Sequence, residues 1–294
     1  VIWSIVESGV HAQTAISAGG VLTVAEAESL STLTVRATST FDATVSGTAT
    51  VTVLQTDQDS NVIVPGTNFA NRLDWVRDNA QSGGRYLIEI SGHEVLGPQM
   101  LPTGRTNLTI TLRGVGAMRT VNLTANGRLF TVGSGVTLVL CNNVTLEGRN
   151  SAAHGWNNND HLIRVNAGGT LVINPGSRVT GNANTVNSAV TNGGGVRVNS
   201  GGMFYMHGGE ISGNHASGVS TSGGVHVASG GTFRMSGGVI YGNEAAVPTA
   251  LRNTVGSGGA ALFNAGIAQR GTFSVVGGFV SESILSTTNN TIRF

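Results

Sequence analysis

The sequence predicts an all-β protein whose larger part is a right-handed parallel β-helix, a solenoid of stacked coils. Three observations predict it. Residues 194–214 recur almost word for word as residues 223–243, and self-similarity at a fixed period of this size marks a solenoid. Within each copy the apolar residues alternate, as in Val196 and Val198 or Phe204 and Met206, which places them on one face of a short strand. Gly-Gly pairs such as Gly201-Gly202 and Gly208-Gly209 separate the strands, and glycine admits the backbone angles that tight corners need.

Composition narrows the function classes. Charged residues are 11% of the 294, against about a quarter in ordinary globular domains. All 16 basic residues are arginine and the formal net charge is +1, without the basic stripe that a nucleic-acid partner requires. The one cysteine, Cys141, excludes an internal disulfide and a cysteine-rich metal site; in the apolar run 138–141 it reads as an inert, partly buried thiol. No apolar run approaches the roughly 20 residues of a transmembrane segment.

Taken in order, residues 1–53 alternate as half-buried strands around residues 21–24, 33–37 and 48–53, punctuated by Gly19-Gly20 and Ser46-Gly47. Trp3 is placed as a core aromatic. The pieces Val1-Ile2-Trp3-Ser4, Gly20-Val21-Leu22-Thr23-Val24, Val35-Arg36-Ala37-Thr38-Ser39 and Gly47-Thr48-Ala49-Thr50-Val51-Thr52-Val53 resemble the C-terminal part of a group 2 bacterial Ig-like domain. The resemblance implies a partial β-sandwich. A larger sandwich of that type uses about seven strands in about 100 residues. Its first strands are missing, so either the chain is a fragment of a longer protein or a strand from a neighbouring molecule completes the sheet.

Residues 54–67 read as a polar linker ending at Pro65-Gly66. A helix follows over residues 68–81, capped at Thr67 or Asn68. Phe69, Leu73, Val76 and Ala80 form one apolar stripe on it, and Ser82-Gly83-Gly84 stops it. An amphipathic helix directly before a solenoid reads as its end cap, covering the apolar core of the first coil. The β-helix then fills the rest of residues 68–294.

Five apolar columns align along the coils. The first contains Phe130, Ile163, Val196, Val225 and Ala261; the second Val132, Val165, Val198, Val227 and Phe263. Leu138, Leu171, Phe204, Phe233 and Phe273 make the third, and Leu140, Ile173, Met206, Met235 and Val275 the fourth. Leu146, Val179, Ile211, Ile240 and Val280 close the turn. Neighbouring coils of such a stack lie about 4.8 Å apart. The pairs Gly181-Asn182, Gly213-Asn214 and Gly242-Asn243 mark a repeated corner, whose asparagines are expected to hydrogen-bond along a ladder. Insertions at residues 151–160, 183–192, 215–222 and 244–257 fall in one sector, as on the binding face of a repeat protein. Residues 281–294 show no cap, so the protein is expected to continue or to dock at that coil edge.

Residues 68–281 resemble the β-helical region of bacterial surface proteins of adhesin type, including a spirochaete-like set. The residues that carry this are Gly127-Arg128-Leu129-Phe130-Thr131-Val132 through Leu146-Glu147-Gly148 and the doubled coil at 194–243. Gly258-Gly259-Ala260 is loosely similar to polymorphic outer-membrane protein repeats, whose Phe-x-x-Asn partner does not recur regularly here. The resemblance implies a non-catalytic, extracellular structural or adhesive protein at a bacterial surface. Its expected partners are a host or environmental glycan or a surface protein, or another copy through the half-sandwich or the coil edge. One alternative is a self-assembling fibre subunit. The other is a polysaccharide lyase or hydrolase built on a β-helix.

The enzyme alternative finds little chemistry in the residues. Glycoside hydrolysis uses two carboxylates about 5 to 9.5 Å apart, and from Gly84 onward there are only Glu89, Glu94, Glu147, Asp160, Glu210, Glu244 and Glu282. Glu147 and Glu210 fall at non-equivalent positions of non-adjacent coils. No catalytic, cofactor-binding or metal-binding residues are expected, and no cofactor. The candidate ligand-binding residues are Trp156, Asp160 and His161 in one loop, near His154, with the outward row Arg164, Arg197 and His226 continuing Thr131. That row is either a cationic track for an anionic glycan or, as expected, a solvated face. A second outward row is Thr137, Thr170, Met203, Thr232 and Thr272.

Overall fold

The computed structural model describes residues 1–25, 28, 30, 32–53, 55–56, 61–149, 157–186, 193–217, 222–243, 245–256, 267–269, 272–280 and 291–292. The chain is 46% strand and 6% helix, an all-β class. It divides into two compact units, Val1–Pro65 and Gly66–Phe294.

In the first unit three antiparallel strands, Ile2–Ile5, Thr32–Thr38 and Ser46–Thr52, form a sheet with Thr32–Thr38 at its centre. The alternation of Leu33 and Val35 buries both on one face. A small hairpin pairs Ala15–Ile16 with Leu22–Thr23. Trp3 is only half-buried and sits against Gly20, where an added Cβ would lie 2.7 Å from its ring. It packs on the hairpin turn and is no central core residue. The expected linker carries structure as well: Gln55–Thr56 pairs antiparallel with Val62–Ile63.

The second unit begins with helix α1, Phe69–Asn79. Asn68 is its N-cap, accepting from the Asn71 amide at 2.9 Å, which satisfies an otherwise orphaned donor of the first turn. Phe69, Leu73, Val76 and Ala80 are buried, so the stripe read from the sequence is the packed face. The Phe69 ring meets Phe130 edge-on at 6.2 Å.

After the helix the chain winds as a parallel β-solenoid. One six-stranded parallel sheet stacks Gln99–Met100, Phe130–Val132, Ile163–Val165, Val196–Val198, Val225–Val227 and Ile267–Gln269 in that order. A second run stacks Arg85–Ile90, Leu108–Gly114, Val136–Leu140, Thr170–Ile173, Met203–Ser212, Thr232–Ile240 and Thr272–Val275. A third stacks Glu94–Leu96, Arg119–Leu123, Val144–Glu147 and Ser177–Thr180, then the second halves of the two long strands and Phe279–Val280.

The strand register reproduces the apolar columns. Leu138, Leu171, Phe204, Phe233 and Phe273 are successive partners, and the Phe204 and Phe233 rings stack at 4.6 Å with 17° between their planes. The first two columns need correction at their last member. Val225 pairs with Ile267 and Val227 with Gln269, whereas Ala261 and Phe263 lie outside the described residues. The insertion before this strand is longer than those before it, which moves the paired positions further along the chain, to Ile267 and Gln269.

The doubled coil turns its corner inside a continuous strand. The register shifts between Met206 and Glu210, where Gly209 has φ 77° and its repeat counterpart Gly238 φ 94°. Those angles are strained for any residue with a Cβ, which explains the second glycine of each pair; at the first, an added Cβ would lie 2.5 Å from the Pro175 ring at Gly208 and 2.4 Å from the His207 carbonyl oxygen at Gly237. The C-terminal end, expected to lack a cap, and the coil edge through which self-association was expected fall largely on residues 281–294, of which only Thr291–Ile292 are described; these pair with Ser274 and Val275.

Candidate functional site

A buried ladder of asparagines comes first, because it positions the site. Asn158, Asn182, Asn214 and Asn253 are all essentially inaccessible. Asn158 Nδ2 donates to Asn182 Oδ1 at 2.9 Å, the Asn182 amide to Asn214 Oδ1 at 3.2 Å, and the Asn214 amide to Asn253 Oδ1 at 3.0 Å. The ladder expected from Gly-Asn corners is therefore real for Asn182 and Asn214. Its next rung is Asn253, not Asn243, which is exposed. Asn253 reaches the Ile211 carbonyl at 2.9 Å and the Tyr241 carbonyl at 2.5 Å. Gly148 is required where the ladder passes close: a Cβ there would sit 2.4 Å from Asn182 Cβ.

The ladder holds two neighbouring coils by their backbones. Asn158 clasps Gly127, accepting from its amide at 2.8 Å and donating to its carbonyl at 2.7 Å. Asn182 donates to the Asp160 carbonyl at 2.9 Å. The residues that follow or sit at these anchors, Arg128 and Asp160, are thereby brought face to face. Arg128 Nη2 lies 2.7 Å from Asp160 Oδ2.

Around Asp160 the groups interlock. Its Oδ1 accepts from the His161 amide at 3.0 Å, lies 2.7 Å from His161 Nδ1, and stands 3.7 Å from Arg164 Nη2. The approach of Nδ1 is close but makes no well-directed hydrogen bond. Arg164 Nε donates to His161 Nε2 at 3.0 Å. Because a guanidinium can only donate, Nε2 must be the acceptor nitrogen and Nδ1 carries the proton, an assignment made from the network.

Electrostatics follow from burial and from these neighbours. His161 is fully inaccessible, and burial lowers its pKa to about 4 against the pull of Asp160, so the ring is neutral at pH 7. Burial pushes Asp160 up, yet the His161 hydrogen bond and the Arg128 and Arg164 charges outweigh it and hold the carboxyl at about 2. Burial, then the nearby Arg128 charge, holds Arg164 below the ordinary guanidinium range. Arg197 is lowered by burial as well.

Between these coils opens a cleft of about 390 Å³, lined among others by Gln99, Met100, Asn126, Arg128, Thr131 and Asp160. On its rim Arg77 of α1 hydrogen-bonds to Gln99, and Arg149 to Asn126.

The candidate residues are distributed as follows. Asp160, His161 and Arg164 form the cluster. Arg197 pairs with Arg164 on the next strand and His226 with Arg197 on the one after, so the outward row Thr131, Arg164, Arg197, His226 is in register. Arg197 is tied to Asn199 Oδ1 at 2.9 Å. Trp156 and His154 lie outside the described residues. The row is not the solvated face expected of it: Thr131 and His226 are buried, and both arginines are partly so. The His161 segment lies against Arg164, and Gly193 backs onto His226, where an added Cβ would be 3.2 Å from the His226 Cβ. The second row is in register too, from Thr137 through Thr170, Met203 and Thr232 to Thr272, and begins one strand earlier at Thr109.

Arg128 is the member that sequence reasoning missed. Phe130 pairs with Ile163, and carrying that offset two residues back sets Arg128 beside His161 and Asn126 beside Asn159. The signal was present in the repeat.

Elsewhere the carboxylates have partners of their own. Glu89 binds Arg113 at 2.9 Å, Glu147 accepts from Asn122 at 2.6 Å, and Glu210 pairs with Arg178 at 3.2 Å. Among the described residues no group of three or more His, Cys, Asp or Glu side chains could hold a metal, and no helix is long and apolar enough to cross a membrane. No protein family, no curated protein and no solved structure matches this chain.

Proposed function

We propose that the chain is a non-catalytic, extracellular structural and adhesive protein of adhesin type displayed at a bacterial surface. Residues 68–294 are a right-handed β-helix, the hand that crossovers between parallel strands adopt almost without exception. Helix α1 is its N-terminal cap, a role supported by its buried stripe and the Phe69–Phe130 contact. Residues 1–53 are a partial Ig-like module, supported by the antiparallel trio around Leu33 and Val35.

One observation carries the non-catalytic reading. His161, the residue best suited to proton transfer, has the lone pair of its acceptor nitrogen Nε2 occupied by Arg164, while Nδ1 lies 2.7 Å from Asp160. A general base needs a free lone pair within reach of the proton it removes. The cluster is built to hold arginines still, which favours recognition over turnover.

Incubation of the chain with neutral and acidic polysaccharides tests this. Release of no reducing sugars or unsaturated products is expected, together with retention of the chain on glycan- or protein-coated surfaces. Sustained product release would instead support a lyase or hydrolase.

A second reading, a fibre subunit completed by a neighbour's strand, draws on the strand Ser46–Thr52. It is exposed along nearly its whole length and pairs on one side only among the described residues. Such an edge is a template for strand addition. Sedimentation of the purified chain as monomers at all concentrations would remove this reading.

A further inference from the structure

Two arginines, Arg128 and Arg164, share the one carboxylate of Asp160 beside the cleft. At pH 7 Asp160 is ionised and His161 neutral. Arg197 extends the charge along the adjoining strand, and Arg149 reaches the cleft wall at Asn126. Of these, Arg128 also keeps its Nε buried and without a hydrogen bond. Half-buried cations in mutual repulsion gain from an added anion, and arginine presents a planar fork matched to carboxylate and sulfate.

The lining fits a sugar. Amide side chains at Asn126 and Asn159 offer hydrogen bonds to hydroxyls, and Pro98 with the exposed Met100 offers apolar contact to a ring's C–H face. A volume of about 390 Å³ is at the small end of ligand clefts. Both walls are fixed in advance, Gly127 by Asn158 and Asp160 by Asn182, which reduces the ordering cost of binding.

We propose that this cleft binds an anionic oligosaccharide, its carboxylate or sulfate seated against Arg128 with Arg164 adding charge from the neighbouring strand, and its hydroxyls met by Asn126 and Asn159. The proposal rests on reading the chain as a binding protein and names the ligand class of its site.

The test uses the full chain in calorimetric titrations at physiological salt, with neutral dextran, carboxymethyl-dextran, dextran sulfate and oligoglutamate as probes. One or both anionic dextrans bind at least about tenfold more tightly than neutral dextran and oligoglutamate, and which of them binds identifies the anion; loss of a charged hydrogen bond is worth about this factor or more. Arg128→Gln weakens that binding by about tenfold or more. Met100→Glu, at an exposed position that disturbs no contact of the network, does the same by adding a negative charge to the rim. Arg234→Gln removes an exposed arginine from a different sheet and leaves binding unchanged. Anionic dextrans no tighter than neutral dextran overturn the proposal, and oligoglutamate binding as tightly as they do overturns the saccharide class. If Arg128→Gln and Met100→Glu both bind like the unmodified chain, the cleft assignment fails while the adhesive reading stands. If a bound dextran is cleaved, the non-catalytic reading fails, and loss of binding in the two variants still supports the cleft.

Discussion

Replacing Asn214 by alanine separates two asparagines that look equivalent in the sequence. Asn214 and Asn243 each follow glycine at matching places in the doubled coil. Asn214 is fully buried. Its side-chain nitrogen serves the Val179 and Ser212 carbonyls and Asn253 Oδ1 at 3.1, 3.0 and 3.1 Å, and its oxygen accepts from the Asn182 amide at 3.2 Å. Alanine removes all of these and leaves several buried groups unmatched. Each such group costs about 1–3 kcal/mol, and with partial relaxation the sum is about 3–5 kcal/mol. Asn243→Ala changes an exposed side chain and stays within about 0.5 kcal/mol. Asn253→Ala, at a position without a preceding glycine, behaves like Asn214→Ala. Equilibrium urea unfolding of the three variants reads the difference as a shift in midpoint. Equal effects at Asn214 and Asn243, or a loss below about 1 kcal/mol at Asn214, would refute the ladder as drawn.

Two further outcomes follow from packing and titration. Phe233→Ala opens a void beneath the stacked Phe204 and destabilises by about 3–5 kcal/mol, against almost nothing for the fully exposed Phe41, as thermal and urea unfolding will record. Acid also destabilises the fold. His161 has a folded pKa of about 4 below its ordinary 6.5, so between those values the unfolded chain binds the extra proton. Stability from the neutral ring is complete above pH 6.5 and is lost toward pH 4, about 3 kcal/mol in all. Asp160, at about 2 against 3.8, adds to the loss only at lower pH still, and half-buried His215, lowered by burial, contributes with the same sign as His161. Unfolding midpoints measured from pH 7.5 to 4.5 should fall steadily, and a flat profile would contradict the burial of His161.

Much of the fold is legible in the chain because period and pairing coincide. Phe204 and Phe233 recur at one repeat length, and a parallel stack must set them over one another. Helix α1 is legible because Phe69, Leu73, Val76 and Ala80 recur with a helical period. What escapes is decided between coils of unequal insertion length. Asn253 takes its place in the ladder after a long insertion, with no local glycine to announce it, and Ile267 displaces Ala261 for the same reason. The candidate site is half legible. Asp160, His161 and Arg164 stand close in sequence, but Arg128 joins them only across the stack. The burial of Thr131 and His226 depends on segments crossing over an outward row, which alternation alone does not report.

His161 is a neutral, buried strut whose Nε2 holds Arg164 beside the proposed anion-binding cleft. Nitrogen-resolved NMR of the histidine rings across pH 3.5 to 8 tests it most directly. The expected result is a His161 ring protonated at Nδ1 alone through neutral pH, with protonation of Nε2 only near pH 4. A ring carrying its proton on Nε2, or titrating near its ordinary value of 6.5, would contradict it.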